Sequence, residues 1–250
     1  SFFGEKSFEK AESKLQKTAV QLALDKVKLS NKDIDNIFAG DLLNQCIGSS
    51  FGLRDFGIPF IGLYGACSTM ALSTALASVF VDSGISKKAI AVTSSHFCSA
   101  ERQYRFPLDY GSQRTPTAQW TVTGSGALII ANKGNGPYIN AVTFGEIEDY
   151  GITDANNMGA AMAPSAVSTL VHYFKDTKTS AEDYDVIYTG DLGTVGTQLF
   201  YELCDKQGYD LRCRHCDCGS LIFSNDKQDV HAGGSGCGCS ASVLASFIMH

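Results

Sequence analysis

One eight-residue stretch occurs twice, and that repeat limits what this chain can fold into more than any other feature. Asp35-Asn36-Ile37-Phe38-Ala39-Gly40-Asp41-Leu42 returns as Asp185-Val186-Ile187-Tyr188-Thr189-Gly190-Asp191-Leu192, so Asp41 and Asp191 stand 150 residues apart. Each copy follows a helical stretch and a short acidic turn, Asn31-Lys32-Asp33 or Ala181-Glu182-Asp183. Each is followed downstream by a small-residue turn that bears cysteine and opens a helix: Cys67 in the first case, Cys237 and Cys239 in the second. Chance resemblance of two apolar strands would not bring this matched context with it, and self-similarity outranks local readings of architecture. The chain therefore reads as two duplicated α/β halves. The strongest turn signal, Asn132-Lys133-Gly134-Asn135-Gly136-Pro137, sets their boundary, giving 1–133 and 134–250.

Bulk properties narrow the function classes. The chain has 250 residues, 44% hydrophobic and 18% charged, enough to bury a large core. A net charge of −6 argues against an extended nucleic-acid footprint, which needs a basic face. No apolar run is long enough to span a membrane, and Ser1-Phe2-Phe3-Gly4-Glu5 does not open a signal peptide. Both ends read as cut, which leads us to expect a fragment of a longer protein. The nine cysteines are odd in number and lack an export signal, so they read as free thiols in a reducing compartment.

Along the chain, Ser7 caps a helix running to about Lys28, with Phe8, Ala11, Leu15, Ala19 and Leu22 as its buried stripe and Glu9 and Glu12 at its positive end. Strands are expected at 34–40, 58–63, 89–93, 120–123, 127–131, 138–145, 185–189 and 221–224. Helices are expected at 49–55, 70–80 and 158–174. The second of these carries Ala71, Leu72, Ala75, Leu76, Val79 and Phe80 at helical spacing.

Tyr64-Gly65-Ala66-Cys67-Ser68-Thr69 joins a strand to a helix. Unpaired amides at a helix start lower a thiol pKa and attract anions, so the turn suits a nucleophile or an anion-binding floor. A buried structural cysteine is the plain alternative. The strand 89–93 ends in Ser94-Ser95-His96, where open α/β sheets bind ligands. Residues 97–119 form a polar excursion with Glu101, Arg102, Tyr104, Arg105, Tyr110 and Arg114, more like a binding cap than a linker. Cys213-Arg214-His215-Cys216-Asp217-Cys218 has a spacing that could hold zinc, but no second pair completes a known module.

Gly65-Ala66-Cys67-Ser68-Thr69 resembles the nucleophile turn of thiolases and β-ketoacyl synthases, and Thr123 to Leu128 resembles their glycine-rich strand junction. The stretch Gly233 to Ser240 is similar to their C-terminal glycine loop. Longer matches are narrower. Ser7 to Lys14, Ala39 to Gln45, Thr117 to Gly124, Thr189 to Gly193 and Ala232 to Ser240 all resemble the stage V sporulation protein AD family. The resemblance implies a thiolase-like fold with two pseudo-symmetric halves in a layered α-β-α-β-α arrangement, here truncated at both ends. It also implies a peripheral protein at the inner membrane of the developing spore, beside membrane-spanning partners of a dipicolinate channel. The implied ligand is dipicolinic acid, free or with calcium, bound where a thiolase has its active site. A homodimer is a further family expectation; no cofactor and no nucleic acid are expected.

Acyl transfer needs a base and oxyanion donors from the second half. There the strand exit offers Thr189-Gly190-Asp191 and the glycine loop offers Ser235, Cys237 and Cys239, with His231 just ahead of it. His96 is the one candidate base near the first half. The expected role is therefore non-catalytic binding, with a residual acyltransferase using Cys67 as the alternative. A small dianion would be met by Cys67, Ser95, His96, Glu101, Arg102, Trp120, Asp191 and Cys237, with no metal site. For Asp41 and Asp191 loop-holding is the favoured role, and His96 as a structural histidine is a serious rival.

Overall fold

The computed structural model describes residues 3–105, 107–109 and 111–249, and for residues 100–103 the backbone alone. In chain order its elements begin α1 (Phe8–Val27), β1 (Asn36–Gly40), α2 (Ile47–Leu53), β2 (Phe60–Gly62), α3 (Thr69–Asp82) and β3 (Lys88–Ser95). Then come α4 (Phe97–Tyr104), β4 (Trp120–Thr121), β5 (Gly124–Ala131), α5 (Met158–Thr177), β6 (Ile187–Thr189) and α6 (Gly193–Lys206). The last are β7 (His215–Asp217), α7 (Cys218–Leu221), β8 (Gly234–Ser235) and α8 (Cys237–Val243). Contacts gather the chain into two compact units. Unit 1 is Ser1–Glu101, Thr121–Ile139 and Gly236–His250; unit 2 is Arg102–Trp120 and Asn140–Ser235.

Unit 1 is built on a four-stranded sheet in the order β2-β1-β3-β5, with β2, β1 and β3 parallel and β5 antiparallel. Successive side chains point to opposite faces, and both faces are covered. Ile37, Ala39, Ile90 and Val92 pack with Val20 and Leu24 of α1 and Leu53 of α2. Phe38, Ala89 and Ala91 pack with Met70, Ala77 and Val81 of α3 and Ala241 of α8. Burial on two sides explains the continuous apolar run of β3. Gly126 lies on β5 where α8 crosses it: a Cβ there would meet the Ala241 carbonyl oxygen at 2.1 Å. The Gly124-Ser125-Gly126 stretch, expected as a junction between two strands, lies inside β5, paired with Ser95, Ser94 and Thr93.

In unit 2, α5 and α6 close over the parallel pair β6–β7, with Ala163, Val167, Val171, Phe174, Leu192, Phe200 and Cys204 as core. The duplication holds at the level of single residues. Helix α5 starts and ends 150 positions after α1, and Lys28 and Lys178 both close their helices in the left-handed region, at φ 55° and 56°. Ser30 with Asp33 and Ser180 with Asp183 form the same capping box. Ile37–Ala39 pair with Phe60–Gly62 as Ile187–Thr189 pair with His215–Asp217.

Several expectations are corrected. The buried residues of α1 are Ala11, Glu12, Gln16, Val20 and Leu24, while Leu22 is exposed. Apolar character misled here because two positions facing the sheet are polar and meet polar partners at the strand ends. Likewise α3 buries Thr69, Met70, Ser73, Ala77 and Val81, with Leu72, Leu76 and Phe80 only partly covered. Residues 138–145 are irregular, not a strand. The last expected strand is also displaced: β7 runs through His215–Asp217, and Leu221 ends a helical turn.

Candidate functional site

The site of unit 1 starts at the turn before α3. Ala66 sits at φ 46°, a left-handed conformation that costs a non-glycine residue about 1 kcal/mol, and it delivers partly exposed Cys67 to the start of α3. Strained backbone of this kind clusters at functional sites. Opposite it begins α8, whose first residue, Cys237, is fully buried. The Cys237 thiol donates to the Ala66 carbonyl at 2.8 Å. Burial pushes the Cys237 pKa well up, and negative charge on Cys67 pushes the same way. Cys237 is thus a neutral donor. Ser95, at the end of β3, accepts from the Gly238 amide at 2.9 Å and donates to the Val122 carbonyl at 2.6 Å. It fixes the first turn of α8. Unit 1 therefore brings Cys67, Ser95 and Cys237 together.

His96 belongs to the other side. Along β3, Ile90 and Val92 face α1, Ser94 donates to Glu12 of α1 at 3.2 Å, and the His96 ring packs 5.2 Å from that of Phe8. The His96 Nδ1 accepts from the Cys98 amide at 3.1 Å, which caps α4 and leaves the ring proton on Nε2.

Glu12 was missed as a site residue. It is fully buried, accepts hydrogen bonds from the hydroxyls of Ser94 and Ser99, and burial raises its pKa to about 7. Sequence gave one hint: Glu12 and Gln16 are one helical turn apart and in line with Val20 and Leu24. Asp41 holds its loop, accepting from the amides of Leu43 at 2.8 Å and Ser49 at 2.7 Å; burial raises its pKa too.

In unit 2, Asp191 accepts from the Ser235 hydroxyl at 2.7 Å, and Gln119 donates to the Asp191 carbonyl at 2.8 Å. Asp217 ties the same loop down through the Thr189 hydroxyl and the amides of Leu192 and Gly193. Trp120 carries the Arg114 guanidinium 4.3 Å above its ring, and Arg114 also pairs with Asp229 at 3.2 Å. The side chains of Glu101 and Arg102 lie outside the described residues, as does Tyr110. Among the described residues no group of three or more metal-ligating side chains converges. His215, in the stretch with zinc-like spacing, instead bonds Thr189 and Tyr201.

A protein-family model described as stage V sporulation protein AD matches residues 1–250. The chain belongs to the stage V sporulation protein AD family. Stage V sporulation protein AD of Bacillus subtilis (strain 168) is 48% identical over 244 residues, covering 98% of this chain and 72% of that protein. Among solved structures, 3-oxoacyl-[acyl-carrier-protein] synthase III from Aquifex aeolicus VF5 superposes with a TM-score of 0.66 at 14% identity, over 98% of this chain and 76% of that one. A cerulenin-bound OleA variant from Xanthomonas campestris gives 0.67 at 14% identity, over 94% and 71%. These likenesses show that this chain has a thiolase-like fold. No described helix is long and apolar enough to cross a membrane.

Proposed function

We propose that this sporulation-family chain binds dipicolinate (pyridine-2,6-dicarboxylate), free or as its calcium chelate, for uptake into developing spores, and does not carry out acyl transfer. The observation that carries the reading is the character of Cys237. It stands beside the Cys67 turn as a buried, protonated thiol donating to the Ala66 carbonyl. A general base there would contribute roughly 10²–10⁴-fold to an acyl-transfer rate, and a neutral thiol cannot take that proton. The same turn favours an anion through the amides at the start of α3. In this reading Cys67, Ser95 and Cys237 form or support the floor, His96 caps α4 from the α1 side of the sheet, Glu101 and Arg102 belong to the cap, and Asp191 holds its loop. Trp120 with Arg114 is a cationic aromatic pair of the kind that receives an aromatic carboxylate. The protein would act as a peripheral component at the inner spore membrane with membrane-spanning partners, and as a homodimer.

Isothermal titration of the full-length protein with dipicolinate, with and without calcium, tests the reading, alongside Cys67→Ala and His96→Ala. Binding by the intact protein is expected; a flat titration in both conditions refutes it. The second reading, an acyltransferase, is favoured by Cys67 on its strained turn at the start of α3. A covalent adduct on Cys67 after incubation with acetyl- or malonyl-coenzyme A, seen by intact mass, would establish it.

A further inference from the structure

We propose that Cys67 and Cys237 close into an intramolecular disulfide when the protein meets hydrogen peroxide, stapling the start of α3 to the start of α8. The Cys237 sulfur lies 2.8 Å from the carbonyl oxygen of Ala66, whose peptide leads directly into Cys67. Standard peptide dimensions then put that sulfur within roughly 6 Å of the Cys67 Cα, so rotation of two side chains spans the gap. The pair is asymmetric in a useful way. Cys67 is partly exposed at a helix start, where an oxidant reaches it, whereas Cys237 is shielded from direct attack. The other cysteines are placed differently. Cys46 is buried against the Leu63 carbonyl, Cys239 is buried within α8, Cys98 and Cys213 are exposed, and Cys204, Cys216 and Cys218 belong to unit 2.

The chemistry balances in two steps. The Cys67 thiolate attacks one peroxide oxygen; an S–O bond forms, the O–O bond breaks, and the departing hydroxide takes up a proton to leave as water. Cys67 is then a neutral sulfenic acid, so the negative charge that opposed ionisation of Cys237 is gone. The Cys237 sulfur attacks the sulfenic sulfur; the S–S bond forms, the S–O bond breaks, and the hydroxyl leaves with the thiol proton as a second water. Two thiols are oxidised and one peroxide is reduced to two waters.

The test uses the full-length protein, treated with peroxide, alkylated and digested without reductant. A peptide pair joined through Cys67 and Cys237 is expected, lighter than its two parts by two hydrogens and lost on adding dithiothreitol. The bond closes a loop of 170 residues (67 to 237), so the melting temperature should rise by several degrees, reversibly. Cys237→Ser keeps a donor toward the Ala66 carbonyl and should fold, leaving Cys67 to accumulate as a dimedone-reactive sulfenic acid. The proposal is overturned if wild-type Cys67 is recovered as thiol or sulfinic acid while Cys237 is alkylated. It is equally overturned if Cys67 is joined to any other cysteine.

Discussion

Replacing Glu12 by glutamine should remove a specific slope from the stability of this protein against pH. The carboxyl is fully buried between the hydroxyls of Ser94 and Ser99, and burial moves its pKa from 4.5 to about 7. A change of that size disfavours the ionised form by about 3 kcal/mol. The unfolded chain releases this proton near pH 4.5 and the folded chain near 7. Between those values the folded state holds a proton the unfolded state has given up, so unfolding becomes easier as pH rises. The contribution is intact below 4.5 and lost above 7. Asp41 and Glu9 also push the Glu12 pKa up, but both stay in the variant. Urea unfolding of the full-length wild type and Glu12→Gln at several values from pH 4.5 to 8 isolates the effect. The stability of the variant relative to wild type should rise by about 3 kcal/mol across that range. Parallel curves for the two proteins would refute the reasoning, because they would mean the buried carboxyl keeps an ordinary pKa.

Four other substitutions probe the frame that holds the site. Gly126→Ala places a methyl 2.1 Å from the Ala241 carbonyl oxygen; a loss of about 3 kcal/mol or failure to fold is expected, read by thermal melting. Ser30→Ala and Ser180→Ala each break one of the twin capping boxes and should cost about 1 kcal/mol apiece in urea unfolding; a loss at one position alone would break their equivalence. Asp217→Asn leaves the amides of Leu192 and Gly193 and the Thr189 hydroxyl competing for a single oxygen. A cost of about 3 kcal/mol is expected, with faster hydrogen exchange at Leu192 and Gly193; unchanged exchange there would contradict the role given to Asp217.

The frame was largely legible in the sequence, and the interior of the site was not. Ser7 does cap α1, accepting from the Lys10 amide, because a hydroxyl before an apolar periodic run has a local meaning. The 150-residue repeat reappears in helix ends, caps and strand register because each is set by neighbours in the chain. The face of a helix is a different matter. Glu12 and Gln16 are buried because Ser94, Ser99, Ser49 and the Gly40 carbonyl await them, and those partners are 24 to 87 residues away. No hydrophobicity pattern records that. The same limit applies to His96: its place at a strand end was readable, whereas its side of the sheet follows from the phase of β3 against α1.

The duplication also explains why two thiols stand at the starts of α3 and α8. Each half sends a small-residue turn into a helix, and in unit 1 those helices, α3 and α8, lie on the same face of one sheet around Ala241, Met70 and Ala77. Residues at the two helix starts are forced close together by that packing, whatever they are. What the packing leaves open is the residue that fills the second start. Here it is filled by Cys237, a side chain that burial keeps protonated and that serves the backbone of the first start. That one contact, a buried thiol turned toward the backbone of the Cys67 turn, is what the proposed binding role rests on.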